Sequence, residues 1–250
     1  MKRTECLKVT ISTPGPEGTG QKDLARLDLW REERAGIPEV ILCSGKRPRD
    51  VIELLKAMAL KKGLAMATKA NRSCLALAKR ENDRALHFEV FNRAQVIITQ
   101  RQNHTLPIPQ GLVGILAAGT ADVGVAEEAR ITLEVLGCKT MVAYDVGVAG
   151  IHRVFQPLEE MRAKRVQAVI VVAGMEGALA SVVKSLVPVP VIGVPTSVGY
   201  GLGRNRVCHH ESNHSLPYYD PSGFCDPLRK RCAQLQIHQC KRRRIPEERF

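Results

Sequence analysis

Four short segments place side chains that can do chemistry beside glycines that let a ligand approach. Gly119-Thr120-Ala121-Asp122 sets a hydroxyl and a carboxyl where an apolar run gives way to a helical pattern. Backbone N–H groups at such a helix start favour phosphate or carboxylate, and the acid can cap the helix or move a proton. Asp145 and Gly147 precede His152-Arg153, a pairing that can combine a proton shuttle with an anion clamp. Gly174-Met175-Glu176-Gly177 puts one acid into an otherwise apolar stretch, and Thr196-Ser197 offers two hydroxyls shortly before Gly199. Each segment also has a plain structural reading. Helix capping explains Asp122 as well as chemistry does, and a surface His-Arg pair is common. Only Glu176, at the mouth of an apolar strand and helix, favours function over capping. The candidates for catalysis are therefore Asp122, Glu176 and His152. Those for binding substrate are Gly119, Thr120, Asp145, Gly147, Arg153, Gly174, Met175, Thr196 and Ser197, and none of these sets has the spacing of a metal site.

These segments all end predicted strands. Apolar runs at 112–117, 140–144, 168–173 and 190–194 alternate with helical patterns at 124–136, 157–164 and 177–186, which implies a parallel sheet with helices on both faces. Ligands of open α/β sheets bind at the carboxyl ends of the strands, so the four glycine-rich loops are expected to converge. Before them, Leu24, Leu27, Leu29 and Trp30 among charges predict an amphipathic helix ending near Gly36. A strand over 39–43, a helix through Val51, Ile52, Leu54, Leu55 and Met58, a strand over 64–68, a helix over 73–79 and strands over 86–91 and 95–99 complete a small α/β unit. The expected organisation is a small amino-terminal domain at 22–104, a linker near 101–110 with Pro107 and Pro109, a second domain at 111–201, and an irregular tail at 202–250.

The tail has few aliphatic residues and no periodicity, so it is expected to be largely disordered. It holds Cys208, Cys225, Cys232 and Cys240 with four histidines, but their irregular spacing disfavours zinc. The remaining cysteines, Cys6, Cys43, Cys74 and Cys138, fit no disulfide framework and are expected to be reduced thiols. Of the net charge of +12, residues 202–250 supply five units, from ten Lys/Arg against five Asp/Glu, and both signs are interspersed elsewhere. Nucleic-acid binding is disfavoured on that distribution. Residues 1–20 contain no apolar run of signal-peptide type, which makes the cytoplasm the expected location and a membrane partner unexpected.

Together the segments are far more specific than each alone. AAGTADVGVAEEA (117–129), YDVGVAGIHR (144–153), VVAGMEGALASVV (171–183) and VPTSVGYG (194–201) resemble the LarB family in order and spacing, and LDLWREERAGIPEVILCSGK (27–46) resembles that family's preceding domain. The resemblance covers about residues 24–201. It implies a flavodoxin-like doubly wound parallel sheet similar to aminoimidazole ribotide carboxylase (PurE), preceded by a small α/β domain. It also implies carboxylation of the pyridinium ring of nicotinic acid adenine dinucleotide and hydrolysis of its phosphoanhydride, the first step toward a nickel-pincer cofactor. Carbon dioxide or bicarbonate is the implied co-substrate, no resident cofactor is implied, there is room for Mg2+ at the phosphates, and an oligomer of identical chains is expected. By the same similarity His152 and Arg153 line the site.

The sequence departs from the resemblance after Gly201. The family's catalytic cysteine stands in an Asn-Ser-Cys motif near the position of Pro217, and the nearest thiols, Cys208 and Cys225, lie in no such motif. No cysteine here inherits the role. Ala121 also replaces a Ser usual in the family. An impaired carboxylase is therefore the leading expectation. The alternatives are an inactive chain that binds nucleotide or assembles with intact subunits, and a true aminoimidazole ribotide carboxylase of purine biosynthesis.

Overall fold

The computed structural model describes residues 6–13, 20–105 and 107–197. The chain divides into two units, Met1–Thr105 and Leu106–Phe250. The expectations for 202–250, of disorder and against a zinc site, fall outside the described residues.

The first unit opens with β1 (Cys6–Thr13) and β2 (Gly20–Asp28), an antiparallel pair with a bulge between Val9 and Thr10. This corrects two expectations, of a polar stretch without elements up to residue 21 and of a helix from Leu24 to about Gly36. Only Arg31–Ala35 is helical, as the single turn α1, stopped by Gly36 at φ 73. The run from Ala25 to Leu29 fits both periods locally. Pairing with β1 decides for the strand, because it sends Val9, Ala25, Leu27 and Leu29 to the core and leaves Arg26 exposed.

Next come β3 (Val40–Leu42), α2 (Pro48–Lys62), β4 (Leu64–Thr68), α3 (Arg72–Arg80), β5 (Leu86–Phe91) and β6 (Val96–Arg101). The strands form a mixed sheet in the order β3-β4-β6-β5, with β3 parallel to β4 and the other pairs antiparallel. Helix α2 starts with Pro48 at its first position, where no N–H is missed, and stops at Gly63 in the left-handed region. Its face Val51, Ile52, Leu54, Leu55 and Met58 is buried against Ile41, Ala65, Ala67 and Ile97.

The second unit contains β7 (Leu112–Ala117), α4 (Val123–Val135), β8 (Lys139–Ala143), α5 (His152–Ala163), β9 (Ala168–Ala173), α6 (Ala178–Leu186) and β10 (Val191–Pro195). All strand pairs are parallel, in the order β10-β9-β7-β8. In order of appearance along the unit that is 2-1-3-4, an arrangement consistent with a flavodoxin-like sheet. Helix α4 covers one face through Ala126 and Leu133 on Val113, Ile115 and Val172. Helices α5 and α6 cover the other through Val154, Leu158, Met161, Leu179 and Val183 on Leu116, Val169 and Val171. The strand residues are buried on both sides, which is why they read as unbroken apolar runs.

Helix α5 begins five residues before Pro157, where the pattern had placed its start, so Pro157 lies inside the helix. A proline there forfeits one intrahelical bond, and the sequence makes it look like a first-turn residue. As a result His152 and Arg153 are the first two residues of a helix rather than part of a loop.

Candidate active site

All four glycine-rich segments leave the carboxyl ends of β7, β8, β9 and β10. Asp122 is the best-buried acid among them, at 5% exposure. It ends the 3-10 turn Thr120–Asp122 that leads into α4. Its Oδ2 accepts from the N–H of Gly119 at 3.0 Å, and its Oδ1 accepts from the hydroxyl of Thr196 at 2.6 Å. The first bond closes the turn, as a capping acid does. The second does more, because Thr196 follows β10 and two positions across the sheet separate β10 from β7. The Asp122–Thr196 bond therefore spans the end of β9. Thr196 is itself 5% exposed, and its N–H donates to Ala173, the last residue of β9, at 2.9 Å. A buried carboxyl held by two donors is fixed in place with lone pairs to spare, suited to orienting or accepting a proton.

The segment after β8 is tied to the one after β7. Val146 N–H donates to Ala117 O at 3.1 Å, and a methyl on Gly147 would lie 2.7 Å from the carbonyl oxygen of Ala118, so only glycine allows this approach. Asp145 adopts φ 58 and its carboxylate accepts from Arg153, whose Nε also donates to Gly150 O at 3.4 Å. The ion pair is half exposed, with side chains 52% and 40% accessible, so it contributes orientation more than stability. It holds the guanidinium near the start of α5, next to the exposed His152. An anionic ligand arriving here meets Arg153 together with the helix N-terminus.

The segment after β9 turns sharply: Gly177 N–H donates to Gly174 O at 3.1 Å, with Met175 at φ 53 and Gly177 at φ 71. Met175 and Glu176 are both exposed. Thr120 and Ser197 are exposed as well, on the segments that Asp122 and Thr196 join. The structure thus links Gly119, Asp122 and Thr196 directly, joins Asp145 to Arg153, and leaves Glu176 and His152 facing solvent. Sequence reasoning missed the Tyr144 hydroxyl, which donates to Glu127 of α4, itself clamped by Arg130 at 2.9 and 3.0 Å. Arg130 also grips Glu134 at 2.7 Å, and this pair of carboxylates pushes the guanidinium pKa further up. The i, i+3 and i+4 spacing of Glu127, Arg130 and Glu134 was the available signal.

Among the described residues no cluster of three or more His, Cys, Asp or Glu is arranged to hold a metal, and no helix is long and apolar enough to cross a membrane.

Comparison with known proteins bears on what this arrangement serves. Residues 20–101 match the LarB/PurE-like N-terminal domain, and residues 112–207 match the AIR carboxylase domain. An uncharacterized protein of Methanocaldococcus jannaschii, MJ0165, is 43% identical over 179 residues, which cover 71% of this chain and 70% of that protein. The chain belongs to the LarB/PurE-like family. In LarB/PurE-like terms the buried Asp122, the helix start at His152-Arg153 and the turn at Glu176 all lie within the AIR carboxylase match. The mixed sheet of the first unit lies within the N-terminal match. This architecture supports a carboxylase of the LarB/PurE-like kind in broad terms.

Proposed function

We propose that the second unit binds nicotinic acid adenine dinucleotide in a LarB-type carboxylase site, and that the chain as written holds this substrate without turning it over. The observation that carries the reading is the Asp122 carboxylate, fixed by Gly119 and Thr196 across the end of β9. The preceding LarB/PurE-like domain favours a pyridinium substrate over aminoimidazole ribotide. Arg153 and the N-terminus of α5 would receive phosphate, with carbon dioxide or bicarbonate as the second substrate and Mg2+ compatible with the phosphoanhydride.

Electron demand explains the expected defect. An aminoimidazole is electron-rich and meets carbon dioxide directly, whereas a pyridinium is electron-poor. A thiolate added to the ring gives a neutral dihydropyridine whose enamine carbon attacks carbon dioxide. Loss of the ring proton and then of the thiolate restores aromaticity. Asp122 is the group we assign to that proton, with Glu176 the alternative. The Asn-Ser-Cys motif that would supply the thiolate is not present after Gly201, and binding energy alone does not replace a covalent step.

The test compares incorporation of labelled carbon dioxide into nicotinic acid adenine dinucleotide and into aminoimidazole ribotide. The proteins compared are the chain as written, a chimera carrying the family's ending after Gly201, and that chimera with its restored cysteine changed to serine. Turnover of the dinucleotide by the chimera alone is expected. Turnover by the original chain, undiminished turnover by the serine variant, or preference for the aminoimidazole would overturn the reading.

A further inference from the structure

Cys43 and Cys74 take no part in the site described above. Cys43 directly follows β3, and its N–H donates to the carbonyl of Thr68, the last residue of the neighbouring β4, at 2.9 Å. Six residues beyond Thr68, Cys74 is the third residue of α3, where its N–H is capped by the side chain of Asn71 at 2.9 Å. The Cα–Cβ bond of a helical residue leans toward the helix N-terminus, which returns the Cys74 sulfur to the end of the sheet. There the two thiols neighbour one another closely enough for each to perturb the other's proton affinity. They are 1% and 0% exposed, within the apolar core of the first unit. A single buried cysteine is usually a small packing residue. Two that neighbour one another in one core can bond once a local opening brings their sulfurs together.

We propose that Cys43 and Cys74 are a redox-sensitive staple, converted by a low-molecular-weight disulfide such as glutathione disulfide into a cystine that pins the end of β3 to the first turn of α3. The Cys74 thiolate attacks one sulfur of glutathione disulfide, forming a mixed disulfide and releasing one glutathione. Cys43 then loses its proton and attacks the Cys74 sulfur, releasing the second. Two protein thiols are oxidised, one disulfide is reduced to two thiols, and both protons end on glutathione. Burial raises both thiols, Cys43 the further, to about 12, so Cys74 is the attacking group once the helix turn opens. Since neither sulfur reaches solvent, the reaction proceeds through opening of the first turn of α3, and its rate follows that opening. The bond closes a loop of about thirty residues and so stabilises the first unit through its unfolded state. None of this depends on the carboxylase reading.

The experiment uses the full chain incubated with glutathione disulfide, with and without sub-denaturing urea, then alkylated and mapped by peptide mass spectrometry. A linked peptide joining Cys43 to Cys74 is expected, forming faster in urea and lost with dithiothreitol. The unfolding midpoint of the first unit should rise by about 10 °C on oxidation. Cys43→Ala and Cys74→Ala should each abolish both effects while keeping a cooperative melt under reducing conditions, which separates loss of the bond from loss of the fold. Glutathione stably attached to either residue without linkage, or both thiols still free after oxidation in urea, would overturn the proposal.

Discussion

Asp122 is where charge and architecture meet, and the two can be separated. Asparagine has the same shape: its Oδ1 can accept from Gly119 while its Nδ2 donates to the Thr196 hydroxyl, which then serves as acceptor. Asp122→Asn is therefore expected to hold stability within about 1 kcal/mol while lowering carboxylation by the restored chimera ~100-fold or more, because in the proposed mechanism this carboxylate takes the ring proton. Thr196→Val should cost about 1–3 kcal/mol of stability by stripping a donor from a buried carboxylate. Denaturant melts and initial rates on the same two proteins check both. Cys43 yields a pH prediction. Burial pushes its thiol from 9.0 up to about 12, so at intermediate pH the unfolded chain has shed a proton that the folded chain keeps. Stability tied to this group is complete below pH 9 and is lost as pH rises toward 12. Alkaline melts of the reduced protein should show a steeper decline than those of Cys43→Ala, and parallel declines would contradict the assignment.

At the scale of elements, the contact between the segments after β7 and β8 depends on one missing methyl. Gly147→Ala places a carbon 2.7 Å from a backbone oxygen, which cannot swing aside as a long side chain would. A loss of about 1–3 kcal/mol is expected, with weaker dinucleotide binding by calorimetry because Asp145 and Arg153 move with the displaced segment. Strand β6 carries the opposite kind of defect. Thr99 is fully buried and its Oγ1 has no hydrogen-bond partner. Thr99→Val keeps the shape and removes the unpaired hydroxyl, so the first unit should gain about 1 kcal/mol, read as a higher denaturant midpoint.

At the scale of the whole molecule, each unit carries its own apolar core. That of the first draws on both β1 and β2 through Val9 and Leu27, on α2 and α3, and on the mixed sheet. A fragment ending at Thr105 is thus expected to fold by itself, with one cooperative transition and dispersed amide resonances, provided that β1 and β2 are kept. A second fragment starting at Val40 would lack Val9 and Leu27 and should unfold at lower denaturant. If the two fragments melt alike, the β1–β2 pair contributes nothing to that core.

The elements of the second unit were legible because its strands are buried on both faces and its helices on one. Uninterrupted runs such as Leu112–Ala117 and Ala168–Ala173 then have a single interpretation, and the loops between them stand out by their glycines. The sequence by itself also determined the family, through long motifs in register. It did not determine β2, where Ala25, Leu27 and Leu29 suit either period until β1 lies alongside, nor the start of α5, where Pro157 mimics a first helical residue. Along the chain Glu176 stood out as the functional acid and Asp122 was as readily a helix cap, because only Glu176 interrupts apolar neighbours. What the sheet order decided is their burial: β10 ends close enough to β7 for Thr196 to reach Asp122 and bury it, while Glu176, on the turn after β9, is exposed. Burial and partnership between residues 74 positions apart are properties of the assembled sheet, and no local pattern encodes them.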